Sequence, residues 1–206
     1  MDEPLGALDR ALRETMKTEI RRLHRELGIT VLYVTHDQEE AVTLSDRIAL
    51  MNRGRFVQVG SATDLYERPV NGFVAGFIGE STLIDGTVVR DGIGASALLP
   101  KSGGPALPAR SGSVKEGDAA IILLRPEKLV IRPATAGVGF AAAVEDTVYV
   151  GDITRLALRL ESGHVVVVKQ PNRANVFQPK HRDQVRVDWA REDAVLLPAE
   201  NFHDSH

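Results

Sequence analysis

The periodicity of apolar residues changes near residue 80, and this change constrains the fold more than any other feature of the sequence. Up to that point apolar residues recur at spacings of three and four, as helices require, and also in short β-branched runs. Beyond it, helical spacing stops and short β-rich runs alternate with turn residues. The sequence therefore predicts two domains, a mixed α/β domain over residues 1–79 and an all-β domain over residues 80–206.

An amphipathic helix is predicted at the start of the first domain, from Asp9 to Leu27, with Gly28 as its C-terminal stop. Its apolar face is formed by Leu8, Leu12, Met16, Ile20, Leu23 and Leu27, and its opposite face by Arg13, Lys17, Arg21, Arg22 and Arg25. The β-branched run Thr30–Thr35 follows closely. A helix followed so soon by a strand that is apolar on both faces is typical of an α/β unit with a buried parallel sheet.

Shorter elements are predicted over the rest of the first domain. Asp37 and Glu40 have the spacing of a capping box at the start of a helix, and so do Ser61 and Asp64. Between these two helices, residues 47–59 are predicted to form a β-hairpin.

Short apolar runs separated by turn residues fill the second domain. They predict seven or eight strands, at 83–89, 119–125, 128–132, 140–149, 154–160, 164–169, 184–189 and 194–197. Many short strands with frequent turns are the pattern of a small sandwich or barrel. The segment 101–117 is rich in Gly, Pro and Ser and is predicted to be an exposed loop.

Composition excludes several classes of protein. The chain of 206 residues has no cysteine, which excludes disulfides, thiolate catalysis and cysteine-ligated zinc. Its net charge is −3, with neither the basic excess nor the basic stripe of a nucleic-acid-binding protein. Its longest apolar runs are far shorter than the ~18 residues of a membrane span, and the N-terminus lacks the pattern of a secretory signal. We expect a soluble, cytosolic chain.

Two adjacent carboxylates, Asp2 and Glu3, stand directly before Pro4. One carboxylate of such a pair can hold a water bound to Mg²⁺ while its neighbour faces an attacking water. Phosphoryl transfer uses this arrangement because its catalysis depends on positioning and charge compensation. An acidic pair that only caps the following helix is the alternative, and the dipeptide alone favours it.

The residues that follow carry a specific resemblance. Asp2–Asp9 reads Asp-Glu-Pro-Leu-Gly-Ala-Leu-Asp, and the predicted helix and strand lead to Val34–Ala41, which reads Val-Thr-His-Asp-Gln-Glu-Glu-Ala. This string resembles the end of the Walker B strand, the D-loop and the switch-histidine region of ABC transporter ATP-binding subunits. The resemblance implies that residues 1–79 are the C-terminal part of an ABC ATPase domain, a remnant of the α/β P-loop NTPase (RecA-like) fold.

The resemblance also implies roles for four residues. Asp2 corresponds to the carboxylate on the magnesium side, and Glu3 to the general base or water-orienting residue. Asp9 corresponds to the D-loop aspartate, which in this family faces the second subunit of the dimer. His36 corresponds to the switch histidine, which reaches the γ-phosphate and the attacking water. The implied cofactors are ATP and Mg²⁺.

Further strings narrow the resemblance to importers. Ser45–Met51, Gln58–Gly60 and Leu65–Pro69 look like importer-type ATPases. Phe73–Glu80 is most similar to their spermidine/putrescine (polyamine) branch, although iron(III), sugar and phosphonate importers share most of these strings.

The second domain resembles the accessory regulatory (TOBE) domain of those subunits, an all-β, OB-like barrel. Leu124–Glu127 and Tyr149–Gly151 match its recurring motifs. The partners that the resemblance implies are a second ATPase subunit in a homodimer, transmembrane permease subunits and, indirectly, a solute-binding protein. The implied location is the cytoplasmic face of the cell membrane.

The phosphate-cradling loop of the family, G-x-x-x-x-G-K-[ST], is absent from the sequence, which contains no Gly-Lys dipeptide. The signature Ser-Gly-Gly-Gln is absent as well. We therefore expect a C-terminal remnant, one part of a split subunit or the product of a misplaced start codon, inactive as an ATPase by itself. The alternative is a non-catalytic role in which the β-rich domain serves for dimerisation or small-ligand sensing.

Overall fold

The structure, a computed structural model, describes residues 3–5 and 8–199, with the side chain of Arg10 excepted. The described residues form two compact units. The first contains those up to Val70 together with Phe77–Gly79, and the second contains Asn71–Gly76 together with those from Glu80 onward. The division into domains over 1–79 and 80–206 stays a prediction. No described helix is long and apolar enough to cross a membrane.

Helix α1 spans Arg10–Leu27 in the first unit, close to its predicted bounds. The Asp9 carboxylate accepts a hydrogen bond from the backbone N–H of Leu12 at 3.0 Å and so caps one of the free donors of the first turn. Gly28 ends the helix at φ 62°, a left-handed conformation that glycine adopts without a steric penalty. Three leucines of the expected apolar face stay exposed: Leu12, Leu23 and Leu27.

The run Thr30–Thr35 does not form the strand that its composition predicts. It makes one isolated bridge, at Val34, and the described part of the first unit contains no parallel sheet. A strand needs hydrogen-bonding neighbours along its edges. The Glu3 N–H donates to the Val34 carbonyl at 2.8 Å, but the described residues do not form a sheet with this run. The side chains of Leu32 (79% exposed) and Val34 (50%) are exposed. The prediction of a buried parallel strand was wrong for this run.

The other elements of the first half are short. They are α2 (Gln38–Leu44), β1 (Ile48–Asn52), β2 (Arg55–Gly60) and α3 (Ala62–Glu67), and α4 (Gly72–Phe77) follows in the chain. β1 and β2 pair antiparallel, as predicted. Their two-residue turn places Arg53 (φ 50°) and Gly54 (φ 74°) at positive φ, the geometry of a type I′ hairpin. The predicted capping box of α3 is present, since Ser61 and Asp64 exchange side-chain to backbone hydrogen bonds.

Two five-stranded antiparallel sheets make up the described part of the second unit. One sheet, in the order β12-β6-β3-β4-β5, contains β3 (Thr82–Arg90), β4 (Ser96–Pro100), β5 (Leu107–Pro108), β6 (Ala119–Leu124) and β12 (Val195–Pro198). The other, in the order β10-β9-β8-β11-β7, contains β7 (Val130–Pro133), β8 (Phe140–Val150), β9 (Ile153–Leu160), β10 (Val165–Pro171) and β11 (Gln184–Asp188). The all-β character predicted for this half is confirmed, while β4 and β5 had not been predicted.

The apolar core of the second unit lies between its two sheets. Ile122 of β6 and Leu158 of β9 are fully buried in it, and both sheets contribute alternate residues along their strands. Trp189 directly follows β11 and belongs to this core: its ring stacks on Phe140 with centroids 4.8 Å apart, and its indole N–H donates to the carbonyl of Pro108 at 2.9 Å. The described residues of this core all belong to the second unit.

Candidate functional site

Glu3 and His36 meet in the first unit although they are 33 positions apart in the sequence. The Glu3 N–H donates to the Val34 carbonyl at 2.8 Å, which lays the residue before Pro4 alongside the run that leads to His36. The two side chains then come together, with Oε1 of Glu3 2.6 Å from Nδ1 of His36. Both are accessible, since 80% of the His36 side chain and 51% of the Glu3 side chain are exposed. Glu3 and His36, both predicted from the sequence as catalytic residues, are therefore in direct contact.

The contact with Glu3 changes the proton affinity of the imidazole. Its hydrogen bond to the Glu3 carboxylate, and then the negative charge of that carboxylate, raise the pKa of His36, with smaller contributions from Asp37 and Glu40. The ring consequently keeps its second proton to higher pH than an isolated histidine. Nδ1–H is then directed to Glu3, and Nε2–H remains as a donor.

His36 lies one residue before the N-cap of α2. Asp37 is that N-cap: its Oδ1 accepts hydrogen bonds from the N–H groups of Glu39 (2.8 Å) and Glu40 (3.2 Å). The N-cap predicted at Asp37 is present, but its predicted capping-box partner behaves differently. Glu40 is buried, and its carboxylate accepts from the hydroxyl groups of Tyr33 at 3.0 Å and Thr35 at 2.8 Å.

Of the other two predicted site residues, Asp9 is among the described residues, and it takes a structural role. Asp9 is the N-cap of α1, and its Oδ1 is engaged by the N–H of Leu12. This is the capping role that short acidic side chains commonly take at a helix start. Asp2 lies outside the described residues, so its predicted position beside magnesium stays a prediction.

Lys17 was assigned from the sequence to the polar face of α1, but its side chain is buried. Its ammonium group lies 2.6 Å from the Glu14 carboxylate and 2.8 Å from that of Glu39 at the start of α2. Hydrogen bonds to Glu14 and Glu39 raise the pKa of Lys17. Lys17 therefore ties α1 to the helix that follows His36, a role that helical periodicity alone does not reveal.

The donor chemistry near Glu3 suits water and phosphate oxygens better than a metal held by protein alone. Among the described residues no group of three His, Cys, Asp or Glu side chains could hold a metal ion. Mg²⁺ commonly keeps several waters and binds one or two carboxylates together with phosphate oxygens of its substrate. A single carboxylate at Asp2 is compatible with that mode.

Each unit also contains a cavity. In the first unit an open groove of about 480 Å³ runs between α2 and α3, and Val42 and Tyr66 contribute to its mostly apolar lining. In the second unit a smaller cavity of about 220 Å³ is lined partly by Phe140, Leu160 and Arg186. Neither was predicted from the sequence.

Residues 122–197 match the TOBE domain family. Over 200 residues the chain is 42% identical to the "Spermidine/putrescine import ATP-binding protein PotA" of Rubrobacter xylanophilus, which covers 96% of this chain and 52% of that protein. The protein of the same name from Thermotoga maritima is 39% identical over 205 residues, covering 96% of this chain and 56% of the relative. Over 96% of its length the chain is similar to proteins named as polyamine-import ATP-binding proteins. The resemblance seen in the sequence is thereby confirmed, and the chain spans about half the length of these relatives.

The chain also has a weaker structural neighbour. A crystal structure of the cytoplasmic molybdate-binding protein ModG, with molybdate bound, aligns with 57% of this chain and 95% of its own at a TM-score of 0.44 and 12% identity. Similarity at this level carries no conclusion on fold or ligand.

Proposed function

We propose that this chain is part of the ATP-hydrolysing subunit of an ABC-type importer of polyamines such as spermidine and putrescine. In this proposal residues 1–79 are the C-terminal part of a P-loop NTPase (RecA-like) domain, and residues 80–206 are an OB-like regulatory domain. The observation that carries it is the contact between Glu3 and His36, 2.6 Å apart. The names of the relatives support the polyamine substrate.

Glu3 and His36 would have different roles in the attack of water on the nucleotide. Oε1 of Glu3 accepts the hydrogen bond from Nδ1 of His36, which leaves Oε2 to accept a proton from water. His36, oriented by that bond, would donate from Nε2–H to negative charge that develops on oxygen atoms of the reacting group. An exposed carboxylate and an exposed imidazole fit this use, because both can be reached by a nucleotide arriving from solvent.

ATP bound with Mg²⁺ supplies the phosphoryl group and the charge compensation that its transfer requires. Asp2 would hold the ion through water. Because no Gly-Lys dipeptide occurs in the 206 residues, the backbone amides and lysine that hold the phosphates would come from residues outside this sequence. The chain would thus contribute the residues that act on the attacking water.

The proposal includes partners. Asp9 would face a second copy of the subunit, as the resemblance to ABC ATP-binding subunits implies, while its Oδ1 caps α1. Transmembrane permease subunits, and indirectly a solute-binding protein, would complete the importer, with this chain peripheral at the cytoplasmic face. The net charge of −3 and the lack of a basic stripe argue against a nucleic-acid partner.

A chimera tests the catalytic proposal. The N-terminal part of the Thermotoga maritima relative that precedes the region matching this chain is fused ahead of Asp2, and phosphate release from Mg-ATP is measured. Glu3→Gln should abolish turnover while nucleotide still binds, because the amide keeps the shape of the carboxylate but cannot accept a proton. His36→Ala should be similarly damaging. Glu26→Gln, on the exposed face of α1, is the matched control and should leave turnover unchanged. Retention of most of the activity in Glu3→Gln would show that Glu3 does not have the proposed role.

A second candidate is a non-catalytic role for the β-rich unit in dimerisation or small-ligand sensing. It is favoured by a core whose described residues all belong to that unit and by its 220 Å³ cavity. A fragment of residues 71–198, which keeps Asn71–Gly76 of this unit, should then fold and melt cooperatively by circular dichroism, and sedimentation should report its oligomeric state. A fragment that is unfolded would exclude an independent role for this unit.

A further inference from the structure

Glu40 is a buried carboxylate, with 2% of its surface exposed. Its hydrogen-bond partners are the hydroxyl groups of Tyr33 (3.0 Å) and Thr35 (2.8 Å), and no described lysine or arginine forms an ion pair with it. Burying a carboxylate costs free energy unless hydrogen bonds replace its hydration. Glu40 is therefore held in place by the two residues that lead to His36, and they in turn are held by Glu40.

The residues on both sides of His36 are tied to the first turn of α2. The Thr35 hydroxyl donates to Glu40 and accepts a hydrogen bond from the Asp37 N–H at 3.0 Å. The Asp37 carboxylate accepts from the N–H groups of Glu39 and Glu40. His36 is the residue between these two attachments, so its backbone position follows from them while its ring stays exposed.

We propose that Glu40 is a positioning residue: through Thr35 and Tyr33 its buried carboxylate fixes the backbone that presents the His36 imidazole to Glu3. This positioning role rests on the proposed function in one respect: the proposed function gives the Glu3–His36 contact its catalytic purpose. The contact itself involves only residues of this chain and can be measured in the chain alone.

An anchor of this kind is needed because the contact is exposed. Exposed pairs of flexible side chains gain little free energy, since ordering them costs entropy and water screens their attraction. A short contact at the surface is favoured when the segment beneath it is already rigid. Among the described residues, the buried hydrogen bonds of Glu40 are the feature that supplies such rigidity next to His36.

The test uses the full chain and the NMR titration of the His36 ring, assigned with His36→Asn. The carboxylates that act on this ring are Glu3, Asp37 and Glu40, so the decisive variants leave all three in place. Tyr33→Phe/Thr35→Val removes both hydroxyl donors to Glu40 without removing a carboxylate. Thr35→Ser keeps its hydroxyl and is the matched control. Glu3→Gln is the reference, because it removes the contact itself.

We expect the His36 pKa to fall in Tyr33→Phe/Thr35→Val nearly as far as in Glu3→Gln, and to stay unchanged in Thr35→Ser. Glu40→Gln, which can still accept hydrogen bonds, should lower it less than Glu40→Ala. A fall in Glu3→Gln with no change in Tyr33→Phe/Thr35→Val would overturn the positioning role and leave the proposed ATPase function standing. If the double variant does not fold, Tyr33→Phe and Thr35→Val are titrated singly, since each removes one hydroxyl donor and no carboxylate, and the same comparison with Glu3→Gln decides the outcome.

Failure of the proposed function has a different signature. In the chimera, full turnover with Glu3→Gln would remove the catalytic purpose of the contact, whereas the titration in the isolated chain would still report whether Glu40 positions His36.

Discussion

The ammonium group of Lys17 lies 2.8 Å from the carboxylate of Glu39, and this contact joins α1 to the first turn of α2. Lys17 is buried, whereas the carboxylates of Glu39 and Glu14 that bind it face solvent. The aliphatic part of Lys17 is therefore packed while its charge is neutralised at the surface of the unit. α2 begins two residues after His36, so the link also connects the candidate site to α1.

Lys17→Met is expected to destabilise the first unit. The substitution keeps the length of the side chain but removes its hydrogen bonds to Glu14 and Glu39, at a cost of about 1 kcal/mol in the free energy of unfolding. Urea unfolding followed by helical circular dichroism measures it. Arg22→Met is the control: Arg22 pairs with Glu19 and Glu26 on the exposed face of α1, so its loss should leave the midpoint unchanged. Equal effects of the two variants would contradict a special role for Lys17.

The Glu3–His36 contact is expected to weaken at alkaline pH. Because the pKa of His36 is raised in the folded chain, the charged contact is fully present below the pKa of an unfolded histidine. It is lost as pH rises through the higher pKa of the folded state. NMR of the His36 ring measures this titration, and Glu3→Gln should lower the pKa of His36. An unchanged pKa of His36 in Glu3→Gln would mean that the two groups do not interact in solution.

Acid is expected to weaken a contact of the second unit. The Glu80 carboxylate accepts from Arg155 at 2.6 and 2.9 Å and pairs with Lys169 at 3.0 Å, and the hydrogen bonds from Arg155, ahead of that from Lys169, lower the pKa of Glu80. The stabilisation is present above the pKa of an unfolded glutamate and is lost as pH falls through the lowered value. Because the three side chains are about one-third exposed, Glu80→Gln should cost only about 0.5–1 kcal/mol at neutral pH.

The measurement is the difference in thermal stability between Glu80→Gln and the parent chain across the acid range. The difference should shrink as pH falls. A difference that persists unchanged at the most acidic pH would show that packing, and not charge, accounts for it.

Truncation of the β-rich core is expected to be costly. Leu158 of β9 is fully buried and lies between Val144 of β8 and Val166 of β10 in the sheet. Leu158→Ala should lower the free energy of unfolding by about 2–5 kcal/mol, through lost burial and the cavity left behind. Leu99→Ala in β4, at a side chain 43% exposed, is the control and should cost far less. Denaturant unfolding decides between them.

Local patterns predicted the elements whose structure is set by neighbouring residues. The limits of α1 follow from Asp9 and Gly28, and the β1–β2 hairpin has Gly54 in its turn. Thr30–Thr35 could not be predicted in this way, because a strand forms only beside another strand. β4 was missed since its five residues, Ser96–Pro100, are too few to show a period and end at a proline.

The candidate site was predicted in part. Glu3 and His36 were predicted because both lie in motifs that resemble those of ABC ATP-binding subunits, and the structure brings them into contact. Glu40 has the spacing of a capping-box residue, yet its carboxylate accepts hydrogen bonds from the hydroxyl groups of Tyr33 and Thr35, which precede the helix. The alternation of hydroxyl-bearing residues at these two positions is the sequence feature that could have predicted this contact. Lys17 lies on the polar face of its helix by periodicity, and only the position of α2 reveals its burial.

Trp189 is the single tryptophan of the chain, and it is buried beside Phe140 in the β-rich core. Intrinsic tryptophan emission therefore reports on one unit and is blind to the other. Unfolding of α1 and α2 can be followed separately, by the helical circular dichroism signal. With these two optical probes, a single denaturation experiment distinguishes one cooperative transition from two and shows whether the halves of the chain depend on each other.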